Sequence, residues 1–168
     1  MRRTLYLAGV LILGLSLTNG RSLLAQQASS SDTQQDQIKR YVEAFRSDVR
    51  TEKKAILTRA MQFTAEEDKV FWPIYNDYLA ELSKLGDERL SIIKTYAENY
   101  QKVTDAMAND LAKRSIEVQK KRTALIEKTY DKVVKVLSAK RAVRFLQVEN
   151  VLNQLIDIQV SAEVPLME

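Results

Sequence analysis

The chain has 168 residues, 45% hydrophobic and 29% charged, with 26 basic and 22 acidic side chains and a net charge of +4. It has no cysteine and no histidine, which excludes disulfides, thiolate nucleophiles, Ser-His-Asp triads and the imidazole or thiolate sites that zinc, copper and nickel favour. Four glycines and two prolines disfavour a turn-dense β fold, and the length suits a single domain.

The N-terminus reads as a secretory signal. Arg2 and Arg3 precede the apolar stretch Leu5 to Leu17, and small residues follow near a cleavage site. Cleavage after Ala25 is the first expectation, with Gly20 and Ala28 as alternatives. The apolar run is shorter than the ~20 residues a spanning helix needs, and no cysteine is present for lipidation. An uncleaved N-terminal anchor is the competing reading. Loss of Arg2, Arg3 and Arg21 would leave 23 basic against 22 acidic residues, a net +1. The basic excess therefore belongs mostly to the targeting segment, and nucleic acid is not an expected partner. The expected organisation is a signal peptide over 1–25, a flexible polar lead over 26–36, one all-helical domain over 37–160 and a tail over 161–168.

The first helical segment is expected from about Gln35 to Met61. Ile38, Val42, Phe45, Val49, Ile56 and Ala60 fall on one stripe, and Asp36 and Arg40 are spaced to pair on the outer face. The second segment starts at Thr64, where T-x-x-E with Glu67 forms a capping box. Glu66, Glu67 and Asp68 suit the positive end of the helix dipole. Its apolar stripe is Phe71, Ile74, Tyr78, Leu82, Leu85, Ile93, Tyr96 and Tyr100. Trp72, the only tryptophan, adjoins Pro73, which removes one ladder hydrogen bond and predicts a kink. One bent helix from about Ala65 to Tyr100 is favoured. The alternative is a break at Gly86, with Asp87 as the next cap.

Thr104 is placed to cap a third segment, from about Asp105 to Val136. Its stripe is Met107, Leu111, Val118, Leu125, Val133 and Val136, with Ser115, Arg122 and Thr129 on the same seam. Lys113, Arg114, Lys120, Lys121 and Arg122 make a basic face, read either as solvated surface or as a partner-binding patch. Ser138 is placed to cap a fourth segment. Ala142, Phe145, Val148, Leu152 and Leu155 form its stripe, widened by Leu146, Val151, Ile156 and Ile158. A face this broad needs two neighbours or another chain, so a homodimer is a candidate state. The apolar tail is expected to dock. The fold class read from these segments is all-α: an elongated bundle of about four helices, of the long-hairpin type.

Two helix starts share a form. Phe63, Thr64 and Glu67 make one; Leu137, Ser138 and Arg141 make the other. Each puts an apolar anchor just before a hydroxyl cap. This layout resembles the Spy/CpxP-like periplasmic proteins, whose signature is a repeated L-T-x-x-Q at helix starts; Phe63 and Glu67 replace Leu and Gln in one copy, Ser138 and Arg141 replace Thr and Gln in the other. The chain also resembles related bacterial proteins carrying "FWPIY", "YAENY" and a "LSAKRAVRFLQVEN"-type segment. The resemblance implies a periplasmic helical-hairpin protein, often dimeric, acting as an ATP-independent chaperone or an envelope-stress adaptor. Its metal-binding members depend largely on histidine, so neither a metal nor another cofactor is expected here. The expected partners are unfolded or envelope proteins, contacted through an apolar and basic surface; the alternative is a module for one specific envelope partner. Enzyme activity is not expected. Capping explains Glu66 and Glu67, and adjacent helical positions do not converge on one substrate.

Overall fold

The computed structural model describes Arg40, Ala44 and residues 46–167. The signal peptide, the polar lead and the start of the first segment, with Asp36, Ile38, Val42 and Phe45, lie outside the described residues. The chain divides into two compact units, residues 1–46 and 47–168, and the second holds the helical bundle.

Four helices and no strand occur among the described residues, so the unit is an all-α helical bundle. α1 is helical over residues 46–61. α2 is Ala65–Asn99, α3 Asp105–Val136 and α4 Ala139–Ala162, with a single 3-10 turn, Tyr100–Lys102, between α2 and α3. α2 has 35 residues and so spans about 52 Å at 1.5 Å per residue. It runs unbroken through both Pro73 and Gly86. Pro73 interrupts the hydrogen-bond ladder without ending the helix, and its exposed ring costs the core nothing. α3 returns antiparallel along α2, since Lys121 reaches Glu88 and Arg114 reaches Ser91.

Cap chemistry sets the boundaries. Thr64 accepts from the Glu67 amide while Glu67 accepts from the Thr64 amide, a complete capping box. Thr104 accepts from the Met107 amide. Ser138 occupies the N-cap of α4 but makes no side-chain cap bond, so its expected capping contact is corrected. α1 ends through Gln62, which adopts φ 48° and returns its amide to the Thr58 carbonyl at 3.1 Å. This left-handed closure is one that glycine usually supplies.

Two apolar clusters form. The larger joins Leu57 and Met61 of α1, Phe71, Tyr75, Tyr78 and Leu79 of α2, Val133 of α3, the linker residue Leu137, and Ala142 and Phe145 of α4. The smaller joins Ile92, Tyr96, Leu111 and Val118, with Val103 and Val164 packed against it. Val164 is thus the docking residue of the tail.

The stripes need four corrections, the first being that Val136 and Ser115 of the α3 seam are exposed. On α1 the inward residues are Lys53, Leu57 and Met61, whereas Ile56 faces outward and Ala60 is half-buried. On α2, Tyr75, Leu79 and Ile92 are buried where Ile74 and Ile93 were expected, and Tyr100 is exposed. On α4, Glu149 replaces Val148 on the innermost line and Leu155 faces solvent. On α1 the buried line is displaced by one residue, about 100° around the helix; on α2 and α4 the expected Phe71, Tyr78, Tyr96, Ala142, Phe145 and Leu152 are buried and only their neighbours differ.

Candidate functional site

The two helix-start motifs meet in space. Glu67 and Arg141 occupy the third positions of α2 and α4, and Glu67 Oε1 lies 2.6 Å from Arg141 Nε. A second Arg141 nitrogen donates to the Met61 carbonyl at 2.8 Å and the Gln62 carbonyl at 3.2 Å. The guanidinium also lies over the Phe63 ring, 5.5 Å from its centroid. Arg141 therefore ties together the end of α1 and the starts of α2 and α4. The carbonyls it meets are those that a helix C-terminus leaves without intrahelical donors. Phe63 and Leu137, the two apolar anchors, pack into the larger cluster.

Trp72 belongs to the same junction. Its ring meets Phe63, Phe71 and Tyr75 edge-on at 5.2 to 6.0 Å, an arrangement the ring quadrupoles favour. Its indole N–H donates to Asp68 at 2.5 Å, and Lys54 sits 5.8 Å from the ring centroid. Trp72 is thus a half-buried anchor with a satisfied polar edge.

Beneath the aromatic cluster lies a polar network. Glu149 of α4 is 0% exposed. Its Oε1 accepts from Lys53 Nζ of α1 and from the Tyr78 hydroxyl at 2.9 Å; its Oε2 accepts from the Tyr75 hydroxyl at 3.0 Å. Lys53 also donates to Asn153 Oδ1 at 2.9 Å, and the Asn153 amide donates to the Tyr78 hydroxyl at 3.2 Å. Five side chains from three helices thus satisfy one another away from water, as buried charges require. Burial lowers the Lys53 pKa below its ordinary value, against the opposing pull of Glu149. Burial pushes both tyrosines up, and the Glu149 charge adds to that.

Further along α4, Asp157 receives Arg89 of α2 at 2.5 Å and Arg122 of α3 at 3.0 Å on each oxygen. Lys121 pairs with Glu88 at 3.2 Å. Arg114 lies 3.8 Å from Asp110 and donates to Ser91 at 3.4 Å. The five residues of the expected basic patch therefore separate. Arg114, Lys121 and Arg122 join helices, whereas Lys113 and Lys120 stay exposed. Between these two, on the same outer face of α3, stands Ile116, 56% exposed.

Sequence reasoning missed Lys53, Arg89, Glu149, Asn153 and Asp157 as interacting residues. The spacing held a signal: Glu149 lies four after Phe145 and three before Leu152, inside the buried line. Among the described residues no group of acidic side chains is arranged to hold a metal ion, and no helix is long and apolar enough to cross a membrane. No family model matches the chain, and no curated protein or solved structure matches it.

Proposed function

We propose that the chain is a secreted, periplasmic binding protein without catalysis, which holds unfolded or envelope proteins through an apolar and basic surface. The observation that carries this reading is the outer face of α3, where Lys113, Ile116 and Lys120 recur at spacings of three and four, exposed. A large aliphatic side chain between two mobile cations suits brief, weakly selective contact with extended chains. Exposed Glu117, between Ile116 and Lys120 in sequence, tempers the positive charge. The secretory reading rests on the charged and apolar N-terminus, and the chaperone or stress-adaptor reading on the resemblance of the two helix starts.

The polar network supports a structural role for its own members. Lys53, Tyr75, Tyr78 and Glu149 are all buried, and each is consumed by the others. Suppression of aggregation of several unrelated unfolding proteins by the secreted chain tests the proposal. Activity on many supports general binding; activity on none, with capture of a single envelope protein, supports the dedicated-partner reading instead.

A further inference from the structure

α4 carries a second apolar line, turned away from the core. Val151, Leu155 and Ile158 are 55%, 54% and 66% exposed. With half-buried Val148 before them and exposed Ala162 after them, they repeat at three, four, three and four. That is the a/d alternation of a coiled-coil seam. Of the flanking positions, Gln147, Gln154, Gln159 and Ser161 are exposed and uncharged, and Leu152 is buried in the bundle. Amide flanks both donate and accept, so they place no like charges against an identical neighbour.

The charges at the ends of this helix run the unfavourable way. α2 opens with Glu66, Glu67 and Asp68, as the helix dipole favours. α4 opens with Lys140 and Arg141, has no acid in its first turn and no base in its last, and closes on Glu163. Arg141 is matched inside the chain by Glu67. Lys140 and Arg144 stay exposed at one end of the seam, and Glu163 stays exposed at the other.

We propose that α4 pairs antiparallel with α4 of a second copy, across a two-fold axis near Asn153. In that register Val151 meets Leu155, Val148 meets Ile158, and Arg144 of one copy meets the Ala162–Glu163 end of the other. The contact is isologous, so each pairing occurs twice and the assembly closes as a dimer. Antiparallel pairing sets each helix's basic start against its partner's acidic end, and the dipoles oppose. Parallel pairing would set Arg144 against Arg144 with nothing to neutralise it. The commitment to a second copy rests on this charge complementarity and on the neutral flanks. It is independent of the α3 surface, so client binding and self-pairing fail separately.

Sedimentation equilibrium of the secreted chain tests the pairing. The expected result is a dimer that Leu155→Glu converts to monomer, with helicity kept because the side chain is exposed in the single chain, and with a thermal midpoint that no longer rises with protein concentration. Arg144→Glu is expected to weaken association at least tenfold, and Arg144→Glu combined with Glu163→Arg to restore it. Because the chain has no native cysteine, R144C/E163C gives an unambiguous orientation readout: an antiparallel pair oxidises to covalent dimers through 144–163 bridges, while R144C alone does not. A strict monomer at high concentration overturns the proposal and leaves the seam to a foreign partner. Efficient dimerisation of R144C alone overturns the antiparallel arrangement.

Discussion

Replacing Glu149 by leucine should be the most damaging single change at the centre of the bundle. The volume is roughly kept, so little of the effect comes from a cavity. Lys53 would lose its counter-charge while only 3% exposed, keeping Asn153 alone. The hydroxyls of Tyr75 and Tyr78 would lose their acceptor. Breaking a buried ion pair costs about 3–5 kcal/mol, and each orphaned buried hydroxyl about 1–3 kcal/mol. The lysine has an escape. Shedding its proton at pH 7, against an ordinary value of 10.5, caps its own share at roughly 5 kcal/mol, at 1.36 kcal/mol per unit. The total loss is about 5–11 kcal/mol, comparable with the whole stability of a typical domain. Lys53→Met should cost less, because both tyrosines still donate to the carboxylate. The pair K53M/E149L should recover about the 3–5 kcal/mol of the broken ion pair, since no uncompensated charge remains buried, and keep the cost of the two hydroxyls. Urea titrations followed by circular dichroism, with Trp72 fluorescence as a second probe, give the cycle. A cost below about 1 kcal/mol for Glu149→Leu, or a double variant as unstable as the two singles summed, would refute the reasoning.

The same network fixes the alkaline pH dependence. The folded chain binds the Lys53 proton less tightly than the unfolded chain, so this group adds stability as pH rises from its lowered value towards 10.5. Tyr75 and Tyr78 are raised above their ordinary 10.0; above that pH the folded chain holds two protons that the unfolded chain releases, and stability falls. Two tyrosine protons outweigh one lysine proton, so urea midpoints should fall as pH rises past 10, and Y75F/Y78F should flatten the decline. At the helix junction, Arg141→Ala removes the Glu67 ion pair and both carbonyl contacts and should cost roughly 2–3 kcal/mol, read from thermal or urea midpoints. Thr64→Ala should cost about 1 kcal/mol, whereas Ser138→Ala, which removes no cap bond, should stay within about 0.5 kcal/mol.

Helix starts were legible because capping is local. Thr64 with Glu67, Thr104 with Asp105 and Ser138 each announced a boundary within four residues, and the structure begins α2, α3 and α4 one residue after each. The continuity of α2 through Gly86 was legible for a related reason: its apolar stripe kept period on both sides, and one glycine costs only ~1 kcal/mol. The facing of α1 was not legible, and on α4 Ala142, Phe145 and Leu152 were legible but the buried Glu149 between them was not. Lys53 and Glu149 are separated by 96 positions, and each looks like a solvated charge until the other is in place. The union of the two helix-start motifs was hidden for the same reason. Arg141 departs from the glutamine of the resembled signature, and its use becomes clear only when Glu67 and the end of α1 stand beside it.

The proposed binding role turns on the outer face of α3. Light scattering of three or more unrelated unfolding proteins, with the protein and with its Lys113→Glu, Ile116→Asp, Lys120→Glu variant, measures that role directly. These side chains are exposed, so the variant should keep the parent's helicity. The expected result is suppression of every client by the parent at near-stoichiometric ratio and loss of suppression by the variant. Equal suppression by both proteins, or none by the parent, would contradict the account.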